Sequence, residues 1–340
     1  MKEYKFLRWL SEFTDSIWWH DSADPQEIEE SIKNGAVGVT TNPFLVQSTL
    51  NNNREKWQSV YENCPPELTG DERAEKLLSL TVAEVAKTLR PIYDETCGKQ
   101  GYACAQVNPS NQGDAEAMLL QARRYAKIAP NVSIKLPASA AGLAAMEQCV
   151  AEGMCTTVTA SFTVPQALAI AEHYERGIKK AEENGIPTKP CFAVLMIGRL
   201  DDYIRDIAHD TGACVSESDI QKAGIAVAKR AYKLFAERNY KAIIMPAGMR
   251  GAYHMTELAG AKMVFSTAPK IQLMLEELSG PFSERIDDPV DEEAIARLMT
   301  VREFRRAYEI DGMAEDEFLT YGAMQRTLSQ FVEVGWSRIK

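Results

Sequence analysis

The chain has 340 residues, 45% hydrophobic and 25% charged, close to the average for a soluble globular protein and ample for a large core. Its net charge of -10 supplies no basic stripe for a phosphate backbone, so nucleic acid is not an expected partner, and an anionic substrate would need a few locally placed arginines. Seven scattered cysteines without CxxC spacing argue against a disulfide framework or a zinc site, no run approaches the roughly 20 apolar residues of a membrane span, and the charged N-terminus lacks a signal-peptide core, so a reducing, cytoplasmic setting without membrane contact is expected.

Short apolar or β-branched runs recur between longer amphipathic stretches, at 16–20, 36–40, 102–107, 132–136, 155–160, 191–197, 242–245 and 263–266. Near-continuous apolar character with helices in between points to a parallel sheet buried on both faces, and eight units point to closure. The expectation is an α/β fold, a (β/α)8 TIM barrel over about 16–280, with additional helices and a helical C-terminal tail over about 285–340, read as one domain. Asp24-Pro25 opens a helix that ends at Asn34-Gly35, Gly113-Asp114 opens one reaching about Ile128, and 138–152 stops at Gly153. Two helix-rich stretches, about 45–98 and 200–238, fall outside the regular alternation. In the tail, Ala294, Leu298, Val301, Phe304 and Tyr308 share helical spacing.

Within this frame one residue stands out. Lys135 is a lone cation inside the run Val132-Ser133-Ile134-Lys135-Leu136, and a lysine buried without its charge becomes a nucleophilic amine. Barrel enzymes place their sites at the carboxyl ends of the strands. There the runs offer Asp21, Asn42, Gln106, Lys135, Thr159, Arg199 and Arg250, one polar group per strand. A carboxylate, an amine, hydroxyl-binding groups and two arginines suit imine chemistry on an anionic sugar. Taken singly, Asp21 reads as a helix cap, Asn42 before Pro43 as turn chemistry, and Arg199 as a partner for Asp201, Asp202 or Asp206. Their succession along the barrel rim favours the catalytic reading.

The segments Gly38-Val39-Thr40-Thr41-Asn42-Pro43, Ile134-Lys135-Leu136-Pro137 with Gly142 and Gly153 downstream, and Gly198-Arg199-Leu200-Asp201-Asp202-Tyr203 resemble the transaldolase and fructose-6-phosphate aldolase family from about Trp18 to Leu278. The resemblance implies a Schiff-base lysine on the fourth strand, no metal or organic cofactor, and a sugar phosphate or similar anionic sugar as substrate. By this resemblance Lys135 is the imine-forming lysine, Asp21 the acid/base, and Thr159 the residue that helps place the catalytic water. Gln106 joins the catalytic set. Asn42 helps hold the dihydroxyacetone unit, Arg199 and Arg250 resemble the pair that grips the phosphate, and Thr41, Thr157 and Ser266 complete the substrate-binding set.

The departures are specific. Gln106 stands where transaldolases proper carry glutamate and the aldolase branch glutamine, which leans towards an aldolase. Met196 occupies an aromatic position, Val194 and Gly248 replace serines, and Thr157 replaces an asparagine. A transferase is expected, with an aldolase releasing dihydroxyacetone as the alternative. A non-catalytic sugar-phosphate-binding barrel or assembly subunit is the reading from another class, and the joint presence of Asp21 and Lys135 argues against it. His20 should face away from Asp21, while His173, His209 and His254 lack metal-ligand spacing. Trp18 and Trp19 read as barrel packing, Trp9 and Trp336 as anchors of terminal helices, and the tail as either a homodimer contact or a lid.

Overall fold

In the computed structural model, which describes residues 5–340, each of the eight runs contributes one strand. These are β1 (Ile17–His20), β2 (Gly38–Val39), β3 (Tyr102–Gln106), β4 (Val132–Pro137), β5 (Cys155–Thr159), β6 (Cys191–Leu195), β7 (Ile243–Pro246) and β8 (Val264–Thr267). The sheet order is β7-β6-β5-β4-β3-β2-β1-β8 with every ladder parallel. β7 and β8, at its two ends, lie side by side, so the sheet curls into a nearly closed (β/α)8 barrel.

Strand alternation decides what fills the barrel and what faces the helices. Trp19 points inward and, with Tyr102 and Phe192, plugs the end opposite the strands' carboxyl termini, its ring centroid 4.5 Å from that of Phe192. β2 accommodates this plug with Gly38, where any Cβ would collide with the Trp19 indole. Asp21, two residues beyond Trp19, is thereby carried to the open end. His20 faces outward, as alternation requires, and its Nδ1 meets Ser31 Oγ at 2.8 Å and Gln272 Nε2 at 2.9 Å.

The helices begin where local chemistry satisfies their free N–H groups. Asp24 accepts from the backbone of Gln26 and Glu27 and caps Pro25–Lys33, Asp114 caps Ala115–Tyr125, and Ser139 caps Ala140–Ala151. The two stretches set outside the alternation are partly regular: Gly70–Glu95 and Glu217–Glu237 are long helices on the crossovers into β3 and β7. The additional pieces are the shorter helices before them.

The tail is helical but segmented. Glu292–Leu298 and Arg302–Tyr308 are separate helices, so the apolar spacing from Ala294 to Tyr308 runs across a break. Ala294, Leu298, Val301 and Phe304 are nevertheless buried, because both short helices dock on the barrel's helical layer. The chain ends in Gly322–Gln330, a π-helical turn Phe331–Trp336 and Ser337–Ile339. Trp336 Nε1 donates to Asp71 at 2.7 Å, and Trp9 packs in a three-ring cluster with Phe6 and Phe282. No helix among the described residues is long and apolar enough to cross a membrane.

Candidate active site

A cavity of about 190 Å³ opens at the carboxyl ends of the strands. Lys135, Asp21, Thr159, Asn42, Ser266, Arg199 and Arg250 all line it. Lys135 projects inward from β4 with 6% of its surface exposed, and its Nζ donates to the Thr41 carbonyl at 2.9 Å. Among the described residues no carboxylate forms an ion pair with Nζ.

Asp21 follows β1 and accepts from Thr40 Oγ1 at 2.7 Å. Thr40 Oγ1 also lies 2.7 Å from Ser266 Oγ. A hydroxyl has one proton to give, so with Asp21 ionised Thr40 donates to it and accepts from Ser266. β2 and β8 flank β1, so Thr40, just after β2, reaches the aspartate directly and Ser266 of β8 is joined to it through Thr40. Thr40 was not among the residues singled out from the sequence, although its alternation with Gly38 and Asn42 puts it on the inward face.

Asn42 carries out its local task and also faces the cavity. Its Oδ1 caps Pro43–Asn52 through the Leu45 N–H at 3.0 Å, which leaves its amide nitrogen as the group able to meet a ligand. Thr159 lines the cavity with a hydroxyl free of protein partners among the described residues, and the next residue, Ala160, adopts the left-handed region at φ +54°. A non-glycine residue there is strained, and such strain collects at functional sites.

Three of the expected site residues do not line the cavity. Thr157 sits beside Lys135 in register, but its hydroxyl is 2.7 Å from Ser133 Oγ, one layer down. Thr41 turns its hydroxyl to the Cys104 carbonyl at 2.7 Å and contributes its own carbonyl to Lys135. Gln106 pairs in register with Lys135 on the other side and is buried, its Oε1 without a partner among the described residues.

Arg199 and Arg250 complete the charged lining of the cavity. Burial, and then the neighbouring Arg250 guanidinium, pushes Arg199 below the usual arginine range. Arg199 does not pair with Asp201, Asp202 or Asp206: it donates to Gln330 at 2.6 Å and lies over the Phe331 ring at 5.8 Å, while Arg250 holds Asp202 at 2.7 Å. Phe331 lines the cavity, so the tail contributes to its wall. Gln330 and Phe331 escaped sequence reasoning because their partner Arg199 lies more than a hundred residues away.

The family model described as transaldolase/fructose-6-phosphate aldolase matches residues 18–323. The chain belongs to this family. It is 29% identical over 288 residues to transaldolase 1 of Streptomyces avermitilis, covering 81% of this chain and 75% of that protein. To transaldolase 2 of Streptomyces coelicolor it is 28% identical over 240 residues, 68% of this chain and 64% of the relative. To transaldolase 2 of Nostoc sp. it is 30% identical over 254 residues, 69% and 65% respectively. Membership places the chain among enzymes of the transaldolase type.

Val194 and Gly248, where serines were expected, both line the cavity, and Met196, Met245, Ala247 and Met249 make the wall around them apolar. Gly248 adopts φ +62°, a conformation that a serine would hold only under strain.

Proposed function

We propose that this protein transfers a dihydroxyacetone unit from a fructose 6-phosphate-like ketose to an aldose phosphate through an imine on Lys135. The observation that carries the reading is a buried lysine amine, without a carboxylate ion-pair partner among the described residues, lining one cavity with the Asp21 carboxylate and two arginines. Lys135 Nζ attacks the ketose C2 carbonyl and water leaves as the imine forms. Asp21 accepts the C4 hydroxyl proton, directly or through water held by Thr159. The C3–C4 bond then breaks, its electron pair passing into the protonated imine to give an enamine, and glyceraldehyde 3-phosphate departs. The enamine carbon attacks the acceptor aldehyde, Asp21 returns the proton, and water releases the lengthened ketose.

Arg199 and Arg250 are the groups suited to the donor's phosphate, since both line the cavity close enough for each charge to act on the other, and together they attract an anion. Asn42 and Ser266 are placed for the hydroxyls of the three-carbon unit. A second reading rests on Gln106, the buried amide beside Lys135: the enamine carbon takes a proton in place of an aldehyde, water adds to the resulting imine, and dihydroxyacetone leaves as the Lys135 amine is restored. Incubation with fructose 6-phosphate, with and without erythrose 4-phosphate, separates the two. Formation of a seven-carbon ketose phosphate that needs both sugars supports transfer; free dihydroxyacetone at an undiminished rate with acceptor present refutes it in favour of hydrolysis.

A further inference from the structure

The proposed chemistry leaves one fully buried ionisable pair unused. His254 and Asp201 have no exposed side-chain surface, and His254 Nε2 lies 2.9 Å from Asp201 Oδ2. Asp201 is a neighbour of Arg199 on the helix Ile197–Thr211 that follows β6, while His254 lies on the short turn Tyr253–Thr256 after β7.

The orientation of the ring follows from its other nitrogen. Nδ1 lies 3.1 Å from the backbone nitrogen of Arg250, which can only donate, so Nδ1 accepts and the ring proton resides on Nε2, facing Asp201. Asp201 Oδ2 also receives the Tyr253 hydroxyl at 3.2 Å, and Oδ1 receives the Gly224 N–H at 2.8 Å. With three donors on it, the buried carboxylate is fully satisfied. Gly198 holds the same segment from the other side: a Cβ there would collide with the Gly248 carbonyl and lie 3.0 Å from the Arg250 nitrogen.

We infer that His254, oriented by Asp201, is a positioning residue that fixes the Arg250 backbone so that its guanidinium and that of Arg199 present one anion-binding fork. The chain of contacts Gly224–Asp201–His254–Arg250 ties the element carrying one arginine to the element carrying the other. Packing alone would not require a ring acceptor aimed at the backbone of an arginine that lines the cavity. The inference rests on the proposed reading of the two arginines as the substrate's anion grip.

The test compares fructose 6-phosphate with fructose as donor, erythrose 4-phosphate being the acceptor, in the full-length wild type and three near-isosteric variants. Asp201→Asn sets an amide donor against Nε2–H or against the Gly224 N–H. His254→Gln retains a donor towards Asp201 but loses the acceptor for Arg250, whereas His254→Asn places Oδ1 near the former Nδ1 and retains that acceptor.

Asp201→Asn and His254→Gln are expected to raise KM for fructose 6-phosphate about tenfold, the equivalent of one lost charge-assisted contact, with kcat and all constants for fructose within about twofold. His254→Asn should restore KM to within about threefold of wild type. Equal losses on both donors, or an unchanged KM in His254→Gln, would overturn the positioning role while leaving the anion grip intact. A wild type with no preference for the phosphorylated donor would overturn the grip and the positioning role together. Should Asp201→Asn fail to accumulate, the contrast between the two His254 variants decides.

Discussion

Gly142 gives the most quantitative test of how the fold aims Lys135. Its Cα faces the end of β4, where an added Cβ would fall well inside contact distance of the Pro137 carbonyl oxygen and 3.0 and 3.1 Å from the Pro137 carbonyl carbon and Cγ. Backbone cannot swing aside as a flexible side chain does, so Gly142→Ala must push the helix Ala140–Ala151 from the strand by roughly 1 Å, an overpacking cost of about 1–3 kcal/mol. Pro137 is two residues beyond Lys135, whose Nζ is held at 2.9 Å from the Thr41 carbonyl. Misplacement of a reacting group by about 1 Å costs on the order of 100-fold in rate. Part of the shift will be absorbed by the helix, so a fall in kcat of about 10-fold to 100-fold is expected. The assay is steady-state transfer beside a thermal melt, with Gly113→Ala as control because a Cβ there meets nothing within 4 Å. A lower melting temperature with unchanged kcat would show that strand β4 is not aimed by this contact; no change in either would refute the close approach itself.

Other consequences follow from the tail and from the buried groups. Phe331→Ala should cost about 3–5 kcal/mol, or about 4–7 °C in Tm, and by admitting water should raise the release of free dihydroxyacetone relative to transfer, read by product analysis. Arg297 reaches across to the buried Asp219 at 2.9 Å and, as the largest cause, holds its carboxyl well below the usual range. A depressed folded pKa contributes stability above the unfolded value and loses it as pH falls through the folded one. Asp219→Asn should therefore lower stability by about 1–2 kcal/mol near neutrality, a modest figure because Arg297 is partly exposed, and the Tm gap to wild type should be constant from about pH 7 to 5 and close below about pH 4. Of the seven cysteines only Cys97 and Cys214 are exposed, and burial pushes the Cys149 and Cys191 thiols up to about 12. A thiol reagent at pH 8 should label two sites on the native protein and seven after denaturation.

The strands could be read from the sequence because a barrel strand is buried on both faces, so each shows as an apolar run even when, as in β2, only two residues join the ladder. Lys135 was legible for the same reason, as an exception inside such a run. Period-2 alternation also contained Thr40, which shares the inward face with Gly38 and Asn42, whereas the neighbouring Thr41 uses its hydroxyl on the Cys104 carbonyl. What sequence could not convey is depth within the barrel. Thr157 is beside Lys135 in register yet bonds one layer down to Ser133. Contacts between distant segments were equally invisible: nothing local marks Gln330 and Phe331 as the cover of Arg199, or Asp202 as the partner of Arg250.

The most direct test of the central claim is peptide mass spectrometry after borohydride reduction in the presence of fructose 6-phosphate, with and without erythrose 4-phosphate. A reduced three-carbon adduct confined to Lys135, diminished by the acceptor and absent with its activity in Lys135→Met, is the predicted result. Full transfer activity in Lys135→Met, or an adduct on another lysine, would contradict it.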